Sequence, residues 1–530
     1  MPIGDVYAGV DVGSSSIRVA VIDDQGVILQ VETEPLVYSQ SNIDSRFVTQ
    51  SSKQIWDSYQ ICMERINDKL SFGLKIKSIG CAATCSMVVL KRGQDDRLHP
   101  YPADYGFSDP NQNVVFWMDS RASEETRTIN EILKGDPILD YYGGAFIQEM
   151  GIPKVKYLID HIPKEDLDSI VFFDLHDFLT FMIAGGKKSE NAINVSNFYN
   201  PMALDGELKG WSSSFLKRIG LTRLVDEDFR AIGRVEKSPY KSFISIPPAG
   251  SRIATADDGV VVTQGVIDCY SGWIASCGKD FSNSLTMIAG TSTCFLLSHK
   301  VSEPITGIWG PFKGVLNDHY VSEGGQSTTG KLLEHLFETH PAFKELEKLG
   351  PDVIHYLTKN MFLYGDLSGN RTPYADGDMR GVFIGESTDN SLRDLLLRYI
   401  CILEFLALQT RQILSMLTKH HINKIIISGS QAKNLRFVKL LAKVTKLPVE
   451  VSDTDPRFSG VKGAAYLGLS GYKNIPLTDV IESLNKEGTV YSPDLSDERL
   501  LRLLDVKYKV MIDMAERQRL YRSWVSTALK

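Results

Sequence analysis

Two short segments constrain this chain more than any others. In the first, a mostly apolar run over 7–12 turns through Gly13-Ser14-Ser15-Ser16 into a second apolar run, Ile17–Ile22. Asp23-Asp24-Gln25-Gly26 turns the chain again into Val27–Val31, so the opening predicts an antiparallel meander of three strands. The second segment repeats the device more than half a chain length later. Ser284–Ala289 reads as a strand, Gly290-Thr291-Ser292-Thr293 as a turn and Cys294–Ser298 as the returning strand. Two such units that far apart predict two domains of similar build facing one another, with a boundary near 276–284.

Strands and helices mix throughout the rest. Apolar spacing predicts helices at 53–70, 123–134 and 153–162, and short strands at 77–83, 113–117 and 169–173. The back half reads as helices at 327–338 and 342–349, then a loop at 365–381 rich in Gly, Asp, Asn and Pro. A long helix at 390–419, a buried strand at 423–428 and a helix at 435–445 follow. A charged amphipathic helix at 496–524 is expected on the outside. It and the 390–419 helix could form a homodimer face, although a solvated surface explains their charges as well.

With 530 residues, the chain has room for two to four domains at about 150 residues each. Its net charge of −7, with no basic block, leaves a nucleic-acid backbone no electrostatic footprint. No apolar stretch reaches transmembrane length, and the first residues lack a basic-then-apolar leader, so a cytoplasmic protein without membrane contact is expected. The seven cysteines (62, 81, 85, 269, 277, 294 and 401) are odd in number and scattered, which reads as reduced core or near-core thiols. Cys81 and Cys85 lack a second ligand pair at zinc spacing, so a thiolate or imidazole metal site is not expected.

The chemistry-bearing residues gather around the two turns. Asp11 ends the first strand beside Gly13–Ser16 and Arg18; small turn residues let backbone N–H groups approach phosphate, and Asp11 could hold Mg²⁺ through water. An ordinary tight hairpin with a turn-forming Asp is the plain alternative, and recurrence at Gly290–Thr293 tips the balance toward a clamp on a triphosphate. Asp268, in Gly265–Gly272, stands where a strand gives way to a helix. It fits a helix N-cap, and it also fits a general base for a substrate hydroxyl. Gly325–Lys331 matches G-x-x-x-x-G-K, but Leu332 stands where a P-loop needs Ser or Thr. No G-x-G-x-x-G follows a strand, so a dinucleotide dehydrogenase has no support.

The ordered set Asp11–Arg18, Thr84-Cys85-Ser86, Trp117–Arg121, Gly265–Gly272, Gly290–Thr293, Glu323–Ser327, Gly369–Pro373 and Gly429–Asn434 resembles the FGGY carbohydrate kinases, in particular their ribulokinase-like branch of D-ribulokinase type. The likeness covers residues 6–473. It implies an α/β fold of two similar ribonuclease H-like domains of the actin and hexokinase type, with the active cleft between them. The segments would be an N-terminal sugar-binding domain at 6–277, a nucleotide-binding domain at 283–473 and a helical extension at 474–530.

By the same resemblance, Asp268 would be the catalytic base and Asp11 would lie near Mg²⁺. Gly13, Ser14, Ser15, Ser16, Arg18, Gly290, Thr291 and Ser292 would face ATP phosphates, with Gly429, Ser430 and Asn434 lining the nucleotide pocket. Thr84, Asp119, Arg121 and Glu323 would line or support the sugar pocket, although Asp119 and Arg121 could equally form a buried ion pair that orients their loop.

Three positions depart from the family pattern. Ala82 stands where ribulokinase-like relatives usually carry Asp, no Lys aligns near Asn197, and Ser430 replaces the second Gly of the nucleotide-pocket turn. The leading expectation is ATP-dependent phosphorylation of a ketopentose, D-ribulose to D-ribulose 5-phosphate. The alternatives are a kinase for another ketopentose or pentitol, and a non-catalytic actin-like ATP-binding sugar sensor.

Overall fold

The computed structural model describes residues 4–71, 73–185, 211–233, 252–255, 259–312, 315–316, 319–342 and 355–529. Asn197, and all but the first residue of the helix expected at 342–349, lie outside the described residues.

The opening meander forms as expected: β1 (Gly4–Val12), β2 (Ser16–Ile22) and β3 (Ile28–Pro35) pair antiparallel, the third strand running longer than the apolar run alone indicated. On its other edge β1 pairs in parallel with β4 (Leu74–Ala83). With β5 (Arg252–Thr255) and β6 (Val261–Thr263), the first sheet has the order β5-β6-β4-β1-β2-β3. Val6, Tyr7, Ala8, Val10 and Val12 are all buried, because β1 is covered on both faces and so reads as a nearly continuous apolar run.

The second sheet repeats this plan. Its hairpin is β7 (Ser284–Ala289) and β8 (Thr293–His299), followed by β9 (Trp309–Phe312) and β10 (Tyr320–Gln326). β11 (Lys424–Ser428), β12 (Val449–Val451) and β13 (Thr489–Tyr491) complete the order β9-β10-β8-β7-β11-β12-β13. In each sheet the hairpin's first strand has a parallel neighbour on one side, and its second strand has an antiparallel neighbour on the other. The two hairpin turns therefore leave equivalent ends of two equivalent sheets. A smaller sheet built from strands between 39 and 174 carries its own core under the helices Ser123–Ile132 and Gly151–His161.

The helices that matter to the site are α1 (Asp268–Ser276), α2 (Gly330–Thr339), α3 (Leu392–Met416), α4 (Leu435–Thr445), α5 (Ser459–Lys473) and α6 (Glu498–Ala528). α1 lies between the sheets, its Ser276 hydroxyl 3.2 Å from Ser428 Oγ on β11. α5 comes from the second half of the chain yet seats on β4 and α1. A Cβ at Gly80 would lie 2.0 Å from Ala464 O, and one at Gly463 would lie 1.9 Å from Ser271 O. Backbone meets backbone there, which only glycine permits. α3 threads the core of the second half. α6 buries Leu500, Leu504, Met511 and Met514 at helical spacing and is pinned by the buried Lys507–Glu404 ion pair, Glu404 also accepting from His355.

α2 starts at Gly330 rather than 327, because the N–H groups of Thr329 and Lys331 donate to Thr291 O and that of Gly330 donates to Gly290 O. The strand expected at 113–117 is only Val114–Val115. Not every thiol is core: Cys62, Cys81, Cys277 and Cys401 are buried, Cys269 and Cys294 are half-buried and Cys85 is exposed.

Candidate active site

The first turn is braced from outside. Ser14 O accepts from Gln50 Nε2 at 3.2 Å, Ser15 O accepts from Leu36 N at 2.9 Å, and Ser14 Oγ accepts from Trp117 Nε1 at 2.9 Å. A trans peptide points its C=O and the following N–H in opposite directions. The carbonyls of Ser14 and Ser15 are held toward Gln50 and Leu36, so the N–H groups of Ser15 and Ser16 face away from those braces.

The second turn reaches the same result by another route. Gly290 O and Thr291 O accept from the start of α2 at 3.0–3.1 Å, which directs the N–H groups of Thr291 and Ser292 the other way. Two turns, each with a pair of outward amides, are suited to phosphate oxygens. The same bonds dispose of the P-loop lookalike. The backbone donors at Thr329–Lys331 are spent on the turn, and Lys331 Nζ pairs with Glu334 at 2.8 Å on the exposed face.

Two carboxylates, Asp11 and Asp268, lie close enough for the charge of one to act on the other. Asp268 is the first residue of α1, with Ile267 at the N-cap position, and its Oδ1 accepts from Cys269 N at 2.8 Å. Desolvation raises its pKa to about 6, partly countered by that N–H, Arg371 and His176. Asp11 is 7% exposed, and its pKa rises to about 7, from desolvation first and then from the charge of Asp268; Arg18, 3.8 Å away, opposes the rise. Asp11 Oδ1 is buried without a hydrogen-bond partner. Gly460 closes over this carboxylate, since a Cβ there would lie 2.4 Å from Asp11 Oδ2. Glu323, on β10, accepts from Tyr270 OH at 3.1 Å, and burial raises its pKa to about 6.

Arg371 ties this group together, although its sequence context assigns it no role. It makes a two-pronged bond to Glu149 (Nε 3.0 Å, Nη2 2.6 Å), lies 5.7 Å over the Trp117 ring and has Nη1 3.4 Å from Ser292 Oγ. Its loop is built to present it. Asn370 and Asp376 exchange backbone bonds at 2.9 Å, and the Asn370 amide is held by Asp366 Oδ2 at 2.7 Å. Trp117 is supported by the buried Lys154, whose Nζ donates to Phe116 O and Trp117 O. A lone Arg in a Gly/Pro-rich loop looks like any surface arginine, and only the fold brings it to Glu149, 222 positions earlier.

The remaining expected residues divide. Asp119 and Arg121 form the buried ion pair (2.8 Å, both side chains fully covered), with Asp119 also accepting from Val48 N and Arg121 Nη1 donating to Ala103 O. The pair is thus closed on itself and on the backbone of Val48 and Ala103. Thr84 likewise sits behind the first turn: its N–H donates to Val12 O and its hydroxyl meets Ser86 Oγ at 2.9 Å. Gly429 has φ +94°, and a Cβ there would lie 2.3 Å from Ala289 O, so the Gly429-Ser430 turn stacks directly behind the second hairpin turn. Asn434 caps α4, accepting from Phe437 N and donating to Tyr399 OH at 2.9 Å.

Residues 6–238 match the N-terminal domain and residues 285–472 the C-terminal domain of the FGGY family of carbohydrate kinases. The chain is an FGGY carbohydrate kinase. This kinase is 35% identical to D-ribulokinase YDR109C of Saccharomyces cerevisiae over 90% of its own length and 73% of that protein. It is 36% identical to protein MPA43 of the same yeast over 98% of both chains. In fold it resembles a ligand-bound xylulose kinase from Lactobacillus acidophilus, with a TM-score of 0.74 at 16% identity, covering 99% of this kinase and all of that chain. The chain thus has the two-domain actin- and hexokinase-like architecture of its FGGY kinase neighbours. No helix among the described residues is long and apolar enough to cross a membrane.

Proposed function

We propose that this FGGY kinase transfers the terminal phosphoryl group of ATP to the O5 hydroxyl of D-ribulose, with the segments 6–277 and 283–473 forming the two walls of the cleft. The observation that carries the chemistry is Asp268. A carboxylate held at about pH 6 at the start of α1 is ionised at neutral pH and basic enough to take a proton from a hydroxyl in line with the transferring group. The amides of Ser15, Ser16, Thr291 and Ser292 bind phosphate oxygens, and Arg371 offsets charge beside Ser292. Water would compete as acceptor, so closure of the walls over the sugar protects ATP from waste.

The residues fit Mg²⁺. Asp11 offers a buried, partnerless oxygen, and two carboxylates that disfavour each other's charge invite a divalent cation. When bound, Mg²⁺ would neutralise charge across the β- and γ-phosphates, held by Asp11 through water. The D-ribulose assignment rests on likeness to the yeast D-ribulokinase.

A second substrate reading, another ketopentose or a pentitol, is favoured by Ala82. It lies fully buried on β4 opposite Asp11 and offers no polar group where relatives of the branch usually carry Asp. Measuring ADP release with Mg-ATP against D-ribulose, L-ribulose, D-xylulose, L-xylulose, ribitol, D-arabinitol and glycerol decides between them. D-ribulose should give the highest kcat/KM, and Asp268→Asn should lower it by about 10²–10⁴-fold. ATP binding with no sugar-stimulated release would overturn the kinase assignment in favour of a sensor.

A further inference from the structure

Two thiols that phosphoryl transfer does not use lie beside Glu323, the carboxylate expected at the sugar pocket. Cys269 follows Asp268 in the first turn of α1, Cys294 is the second residue of β8, and Glu323 lies on the adjacent strand β10. Their ligand atoms all lie within 4.8 Å of one another. We propose that these three side chains form a binding site for a thiophilic divalent cation, Zn²⁺ in the first instance, and that its occupancy shuts the kinase off.

The geometry is close to what zinc requires. Sulfur at about 2.3 Å and oxygen at about 2.0 Å from a tetrahedral ion place the ligand atoms roughly 3.5–3.8 Å apart, so rotation of the side chains by about an ångström closes the site. Three protein ligands leave the fourth position for water. The surroundings support it: Tyr270 OH donates to Glu323 and orients its carboxylate, and the charge of Arg371 favours the ionised form of Glu323. Cys269 and Cys294 are both half-buried. Binding exchanges one Zn²⁺ for the two S–H protons, which leave to water; no oxidant is needed.

Two sulfur ligands select against Mg²⁺, which prefers oxygen, so this site is chemically distinct from the carboxylate pair at Asp11 and Asp268. An ion here would stitch α1 to the second sheet and occupy the space beside Asp268 where the acceptor hydroxyl must arrive. That is the physical basis for inhibition.

The inference rests on the kinase reading only for its inhibitory consequence; the binding itself does not. The test uses the full chain, freed of metal by chelation. Zn²⁺ is titrated against a chromophoric chelator, and Co²⁺ is added separately as a spectroscopic probe. Wild type should bind one Zn²⁺ per chain, and its Co²⁺ complex should show an intense near-ultraviolet thiolate-to-cobalt band. One equivalent of Zn²⁺ should lower ADP release at least tenfold, with recovery on chelation. Cys294→Ser should fold with an unchanged circular dichroism spectrum, keep its basal turnover, lose the band and bind Zn²⁺ at least 100-fold more weakly. Cys269→Ser provides the second variant if the first fails to fold. A Co²⁺ complex without the thiolate band, or Zn²⁺ binding unaltered in the serine variants, overturns the site. Zn²⁺ inhibition equal in wild type and Cys294→Ser overturns the regulatory role and points to displacement of Mg²⁺. If no sugar proves to be a substrate, the stoichiometry and spectrum still decide the site on their own.

Discussion

Replacing Asp268 by Asn separates catalysis from stability in one variant. The Asp268 carboxyl has an ordinary pKa of 3.8 and titrates at about 6 in the folded protein, chiefly because it is desolvated. A carboxyl with a raised folded pKa binds its proton more tightly in the native state. Its penalty is therefore absent below pH about 4, grows between about 4 and 6, and is fully present above 6. Two pK units correspond to roughly 3 kcal/mol. The carboxylate is only half-buried at the cleft wall, which screens part of this, so the stabilisation expected on removing the charge is about 1–2 kcal/mol. Asn keeps an oxygen for the Cys269 N–H, so the start of α1 is not unpicked.

The variant should accordingly unfold one to a few degrees higher than wild type at pH 7.5 and at the same temperature near pH 4. Its turnover with the best sugar should fall by about 10²–10⁴-fold, the usual worth of a general base. Wild-type kcat/KM should decline below pH about 6 as the base protonates. Thermal unfolding from pH 4 to 8 and coupled ADP release are the assays. Turnover within tenfold of wild type would refute the base, and a variant no more stable at pH 7.5 would refute the burial penalty.

Two further substitutions probe the supporting structure. Gly429→Ala puts a Cβ 2.3 Å from Ala289 O at φ +94°, so we expect a loss of about 3–5 kcal/mol in denaturant titration and a raised KM for ATP, because the strained turn lies directly behind Gly290. Arg371→Lys gives up the fork to Glu149 and the reach to Ser292; kcat/KM for ATP should fall roughly 10²-fold with little change in melting temperature, and Glu149→Gln should do the same in steady-state kinetics.

Parts of the fold whose cause is local were legible in the order of residues. Alternating and continuous apolar runs around two small-residue turns predicted the β1–β2–β3 meander and the β7–β8 hairpin, because strand and turn propensities act over a few residues. The ordered motifs carried the family, and with it the expectation for Asp268. Long helices such as α3 and α6 were legible within a few residues at each end, since their periodicity extends over many turns. Where a boundary was misplaced, as at the start of α2, the cause was not local: the amides of Thr329–Lys331 are claimed by the carbonyls of a turn nearly forty positions earlier.

What surrounds each reactive group depends on packing between segments distant in the chain. Asp119 and Arg121 could be ligands or an ion pair on sequence evidence; Val48 N and Ala103 O, reaching them from other elements, make them a closed ion pair. Arg371 became a cleft residue only once Glu149 and Ser292 were folded against it, and Cys269, Cys294 and Glu323 became a cluster only because α1 packs on the second sheet. Charge, desolvation and ligand geometry depend on distances between atoms far apart in the chain, and no pattern confined to neighbouring residues encodes them.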